Sequence, residues 1–238
     1  MEVRERALLA HSPRHLPWKR LLLPLDRFLL DGYGGTPIED GVILVAGERI
    51  VAVGPEAEVL VPDGVRVVST EGMTVMPGLC DMHVHLQLVG HGDYARWDEL
   101  YGERNEEVMA IAADQLLSAG VTCARDLGGP LEPLVETRRR IDAGEIPGPR
   151  LFISGPFLQR APYEPWQADY RWGVEGPEDA RARTRTLIEG GADVIKLIDQ
   201  DQLTPDEVSA IVETAHGAGV PVVAHAHRMD EIRVGLEH

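Results

Sequence analysis

The chain has 238 residues, 44% of them hydrophobic and 26% charged, an ordinary balance for a globular protein long enough for one large domain or two small ones. Its formal net charge of −16 argues against binding nucleic acid, whose phosphates demand a basic face, and against docking on an anionic membrane. Cys80 and Cys123 are too few for a disulfide framework, and the charge-alternating start MEVRERALLAHSPRHLPWKR has no apolar signal-peptide core, which points to a cytoplasmic protein.

Residues 1–20 lack hydrophobic periodicity and carry a local basic excess, so they read as an N-terminal arm outside the fold. The run LLLPL at 21–25 is broken by Pro24 and falls far short of the roughly 20 apolar residues of a membrane helix. From 21 to 76, short β-rich runs are split by Gly-Gly, Asp-Gly and Gly-Pro turns, the pattern of a small antiparallel β-sandwich unit. Within it, GVILVAGERIVAVG predicts a hairpin turning at Gly47.

The rhythm changes in residues 77–238 to strand, loop and helix in repetition. Strands are predicted at 79–84, 121–125, 150–154, 193–198 and 220–225, and helices at 104–119, 131–143, 177–190, 204–218 and from Met229 onward. Thr204 followed by Pro205 is a helix start, with the hydroxyl as cap and proline in the first turn. Regular βα alternation predicts a parallel sheet, either open and doubly wound or closed as a barrel. No G-x-G-x-x-G follows any of these strands, which argues against the dinucleotide-binding version.

Polar residues at strand ends carry the chemistry. VMPGLCDMHVHL, at 75–86, closes an apolar strand with His83 and His85, and the period of two along a strand lets both rings converge on one point. Such a pair is a metal-ligand geometry, although two histidines capping a strand toward solvent would look the same in sequence. Lys196 lies inside the apolar run DVIKLI, one of two lysines among 23 basic residues. VVAHAH ends the fifth strand with His225 and His227. A snorkelling lysine and a satisfied core histidine are the bland readings of Lys196 and His225. Their common position at strand ends is what a barrel active site requires.

The β unit leading into MPGLCDMHVHL, then GVTCARDLGG, GADVIKLI and PVVAHAH in order, resembles the amidohydrolase superfamily, in particular its imidazolonepropionase-like and prolidase-like branch. The resemblance covers about residues 26–238 and implies an α/β protein with a TIM-type (β/α)8 barrel. It further implies that His83 and His85 hold one divalent metal, that Lys196, carboxylated by CO2, bridges two, and that His225 holds the second, the pair being zinc by preference. The implied activity is hydrolysis of carbon–nitrogen bonds through metal-activated water. An ammonium cannot ligate, so Lys196 must be deprotonated, and its apolar strand favours the neutral amine that CO2 attacks.

Two loops after the first and third strands hold Tyr94, Trp97 and Tyr101, and Phe157, Tyr163, Trp166, Tyr170 and Trp172, within a 22-residue stretch from Gly155 to Gly176 in the second case. Loops on that face form pockets, so an apolar moiety beside the scissile bond is expected, with rim packing or a subunit contact as the alternative. Arg125 and Arg160 could bind a substrate carboxylate, as a dipeptide or N-acyl amino acid offers, or sit in surface ion pairs. His227 is expected to point away from His225 and to orient substrate or form the wall. Family members complete eight strands and add a metal histidine on strand six and a catalytic aspartate on strand eight. About five βα units are present before His238, so an incomplete barrel is expected. Its alternative reading is a catalytically incomplete half-barrel, or one chain of a split enzyme that associates with itself or with a complementing C-terminal segment. A third reading, Lys196 as the Schiff-base lysine of a barrel aldolase, leaves both H-x-H pairs without work.

Overall fold

The computed structural model describes residues 18–23, 28–70, 72–90, 92–161, 164–199 and 202–237. They fall into two compact units that divide between Pro77 and Gly78.

The first unit contains β1 (Trp18–Leu23), β2 (Phe28–Leu29), β3 (Ile38–Glu39), β4 (Gly41–Ala46), β5 (Arg49–Pro55) and β6 (Val67–Ser69). A four-stranded sheet runs in the order β5-β4-β1-β6, and β2 pairs with β3 in a separate ribbon. The β4–β5 hairpin turns through Gly47 at φ +62°, a left-handed value that glycine adopts without steric cost. Val42 and Leu44 point to one side and are covered by Val51, Val59 and Val65. Two expectations need correction. The sheet is mixed, because β1 pairs antiparallel with β4 but parallel with β6. Strand pairing also begins at Trp18, inside the stretch read as a free arm, because hydrogen bonding to the long β4 decides it where local periodicity is silent.

The second unit contains β7 (Leu79–Val84), α1 (Tyr94–Tyr101), α2 (Asn105–Ser118), β8 (Val121–Asp126), α3 (Leu131–Asp142), β9 (Arg150–Ile153), β10 (Phe157–Gln159), β11 (Arg171–Gly173), α4 (Pro177–Glu189), β12 (Ile195–Leu197), α5 (Pro205–Gly217), β13 (Val222–Ala224) and α6 (Met229–Glu237). All its strand pairs are parallel, in sheets ordered β7-β8-β9 and β11-β10-β12-β13. Among the described residues the strands do not close into a barrel. The stretch 155–176, expected as one loop, instead supplies β10 and β11. Three-residue strands carry no periodicity of their own; they exist because β10 lies between β11 and β12.

One core packs Leu86, Met109, Leu134, Leu151 and Ile153 between β7–β9 and the helices α2 and α3. A second packs Leu158, Leu187, Ile195, Val208 and Ile211 beneath α4 and α5. Each of these fully buried aliphatic side chains contributes about 1.5–3 kcal/mol relative to exposure.

Polar staples fix the loops at strand ends. Thr204 accepts the Glu207 N–H at 3.3 Å while the Glu207 carboxylate accepts the Thr204 N–H at 2.7 Å, a capping box that starts α5. Glu207 also accepts the Gly176 N–H at 2.7 Å and pairs with both terminal nitrogens of Arg160. Asp193 accepts from Arg138 at 2.6 Å and from the Ile153 N–H at 2.9 Å, joining α3, β9 and the approach to β12. No helix among the described residues is long and apolar enough to cross a membrane.

Candidate functional site

His83 lies near the end of β7, and His85 follows it where the chain leaves the sheet. Their ring centroids are 5.2 Å apart, and the His83 ring lies 5.5 Å from that of His225. Parallel pairing explains the meeting of β12 and β13: Lys196 is in register with Val223 and Leu197 with Ala224, and the His225 N–H donates to the Leu197 carbonyl at 3.0 Å. The Lys196 side chain is 2% exposed on the central strand β12.

The electrostatics record the same gathering. Burial lowers the His83 pKa to about 4, assisted by the charges of Lys196, His85, His225 and Arg125. Burial lowers His85 as well; its bond to the Gly128 carbonyl opposes this, and Lys196, His225 and Arg171 add to the lowering. His225 is lowered by burial, Lys196 and His227 against the opposite pull of Glu231 and Asp199. At neutral pH all three imidazoles are therefore neutral and hold free lone pairs. Burial, then the Arg125 charge, brings the Lys196 amine down to about 8. Among the described residues no group of three or more His, Cys, Asp or Glu side chains is close enough to enclose an ion by itself. The fourth polar group of this cluster is a lysine.

His85 is held by a carboxylate that sequence reading passed over. Asp126, at the end of β8, is completely buried and accepts the Leu86 N–H at 2.7 Å and the Gly128 N–H at 3.0 Å. Burial raises its pKa to about 7 against the lowering by those two hydrogen bonds. The Gly128 carbonyl then lies 3.0 Å from His85 Nδ1, which donates to it in the neutral ring and leaves Nε2 free. Gly128 has φ +154°, and a Cβ there would lie 1.6 Å from the Phe157 ring, so only glycine fits. The signal was present in the sequence as an acid followed by Gly-Gly at the end of a predicted strand, VTCARDLGG.

The remaining expected residues divide. The Arg125 Nε donates to the Met82 carbonyl at 3.0 Å and the guanidinium charge acts on both His83 and Lys196. Trp166 and Tyr170 meet at 6.0 Å between centroids, and Tyr170 meets Phe157 at 5.7 Å. Trp172 does not join them but packs on the core beneath α4 and α5. Arg160 is committed to Glu207, which removes it as a carboxylate receptor. His227 does not point away from His225: residues two apart on an extended chain share a side, and the two rings approach to 4.2 Å. Tyr163 lies outside the described residues.

Parallel βα units with imidazoles and a buried lysine gathered at the carboxyl ends of the strands follow the plan of a (β/α)-barrel enzyme. Residues 74–234 match the amidohydrolase family, and the chain belongs to that family. Among curated relatives, the imidazolonepropionase of Rhizorhabdus wittichii is 27% identical over 239 residues, an alignment covering 84% of this chain and 57% of that protein. The solved structure of phenylurea hydrolase B superposes with a TM-score of 0.79 at 25% identity, covering 91% of this chain and 57% of the other. A prolidase complexed with N-methylphosphonate-L-proline superposes with a TM-score of 0.72 at 27% identity, covering 90% and 59%. The chain thus spans a little over half the length of the relatives it matches.

Proposed function

We propose that this chain supplies the metal-binding part of a hydrolase that cleaves amide-type carbon–nitrogen bonds, with dipeptides or N-acyl amino acids as substrates. The observation that carries the reading is the gathering of His83, His85 and His225 with Lys196 at one end of the parallel strands. Two imidazoles sharing one tetrahedral zinc at about 2.0–2.1 Å per Zn–N bond hold their ring centres roughly 5 Å apart, in keeping with the spacing here. Three neutral imidazoles and a carbamate suit divalent zinc, and His83, His85, Lys196 and His225 would hold up to two ions. When bound, such ions polarise the substrate carbonyl and bring the pKa of a water toward neutrality.

The chain's own residues prepare that chemistry. The Gly128 carbonyl fixes the His85 tautomer so that Nε2 is the ligating atom. Burial keeps part of the Lys196 population neutral at pH 7, and the neutral amine adds CO2 to give a carbamate and release one proton. Arg125, which disfavours the ammonium, favours the carbamate anion by the same charge. In the net reaction one water adds across the amide: oxygen goes to the carbonyl carbon, the carbon–nitrogen bond breaks, and the nitrogen leaves with a proton as the amine.

The full-length protein, assayed with dipeptides, N-acyl amino acids and lactones, is expected to lose activity with a chelator and regain it with zinc. K196A should lose at least about 10²-fold in kcat and recover part of it with added short carboxylic acids, which replace the missing bridge. Full activity of K196A without additive, or full activity after metal removal, would overturn the reading. Borohydride trapping of a substrate adduct on Lys196 would move the assignment to Schiff-base chemistry.

A further inference from the structure

A second feature of the same unit is a narrow cleft between α1 and the segment that leads into β11. Its walls are aromatic: Tyr94, Trp97 and Tyr101 from one side and Trp166 and Tyr170 from the other. Trp97 and Tyr101 stack on one another, with 5.7 Å between centroids and planes 15° apart. Asp98 and Asp169 enter the same cleft. Neither carboxylate has a hydrogen bond or ion pair among the described residues, and burial together with the Asp169 charge raises the Asp98 pKa. Gln87 also lines the cleft, and both its amide oxygen and its amide nitrogen are buried without a partner among the described residues. Buried amides are normally satisfied, so this one has unmet capacity for a polar ligand.

The cleft is connected to the imidazole cluster. Gln87 follows His85 by two residues on the same loop. A file of rings also runs from His85 to Phe157 at 5.9 Å, on to Tyr170 at 5.7 Å and to Trp166 at 6.0 Å. These rings already accept cations from the chain itself: the Arg171 guanidinium carbon sits 4.8 Å from the Phe157 centroid and 5.6 Å from that of Tyr170, and Arg104 lies 5.7 Å from the Tyr101 ring.

From this combination we infer that the cleft binds an organic cation, a protonated amine or guanidinium carried by the substrate beside its scissile bond. Aromatic faces attract a cation through their quadrupole, two unpaired carboxylates add charge complementarity, and Gln87 offers an acceptor to the N–H groups. A neutral apolar side chain would fill the aromatic walls but leave both carboxylates without a partner. The inference rests on the hydrolase reading above, and it names the class of substrate: amides whose acid or amine portion bears a basic side chain.

The test uses matched pairs on the full-length protein. Nα-acetyl-L-arginine is compared with Nα-acetyl-L-citrulline, and Nα-acetyl-L-lysine with Nα-acetyl-L-norleucine. Binding is followed by tryptophan fluorescence, since Trp97 and Trp166 line the cleft, and hydrolysis by release of acetate. The charged member of each pair should bind at least tenfold more tightly, and D98N and D169N should each collapse that ratio toward one. Equal affinity within both pairs for the unaltered protein overturns the inference without reference to any variant. A ratio that survives in both variants overturns it as well. Hydrolysis of both members of each pair at equal kcat/KM removes the cation preference but upholds the hydrolase. Charge-selective binding without hydrolysis of any member overturns the hydrolase and upholds the cation site.

Discussion

Asp126 shows how one side chain positions a site without touching it. Its two oxygens hold the Leu86 and Gly128 N–H groups, and through Gly128 it fixes the His85 ring. Asparagine has the same shape but only one accepting oxygen, so D126N strands one buried N–H. That should cost about 1–3 kcal/mol in urea denaturation and weaken zinc retention by roughly 10- to 100-fold. Burial raises this carboxyl from 3.8 to about 7, so the native state keeps a proton that the unfolded chain gives up. Asp126 therefore subtracts stability as pH climbs through that window, and D126N should flatten the slope there. A D126N protein with unchanged stability and zinc content would contradict the assignment.

At the scale of elements, Glu207 binds together the residue after β10, the residue before α4 and the cap of α5. Burial pushes its pKa up, but Arg160 and the N–H groups of Thr204 and Gly176 outweigh this and hold it at about 2. Folding depresses this pKa, so its contribution is complete above the ordinary 4.5 and is lost as pH falls toward 2. E207Q should destabilise the neutral protein by about 2–3 kcal/mol, short of a fully buried pair because Arg160 is partly open to water, and should remove that acid slope. Circular dichroism across pH 2–6 checks both; parallel curves for the two proteins would sink the claim. These same elements mark how far the sequence could be read. The helices from α2 to α5 end within a residue or two of expectation, because caps such as Thr204 and Pro205 act locally. Lys196 and the H-x-H pair stood out by composition and spacing. What escaped was made by distance: β10 and β11 through pairing with β12, and the meeting of Asp98 on α1 with Asp169 in the segment before β11, far apart in sequence.

Across the whole molecule, the two parallel sheets of the second unit leave β7, β9, β11 and β13 each paired on one side only among the described residues. Unpaired strand edges are templates for association, and exposed Leu79, Met82 and Phe152 lie along these strands. The 238-residue chain purified alone should therefore give a mass by light scattering above that of the monomer, rising with concentration; a stable monomer at about 100 μM would show the edges to be protected. The burial of Lys196 has one more consequence, of a spectroscopic kind. Only one other lysine, Lys19, is present in the chain, so ¹³C-labelled carbon dioxide can mark at most two side-chain amines, and a carbamate resonance that vanishes in K196A would report on this single strand-borne nitrogen without any substrate, turnover or bound metal being needed.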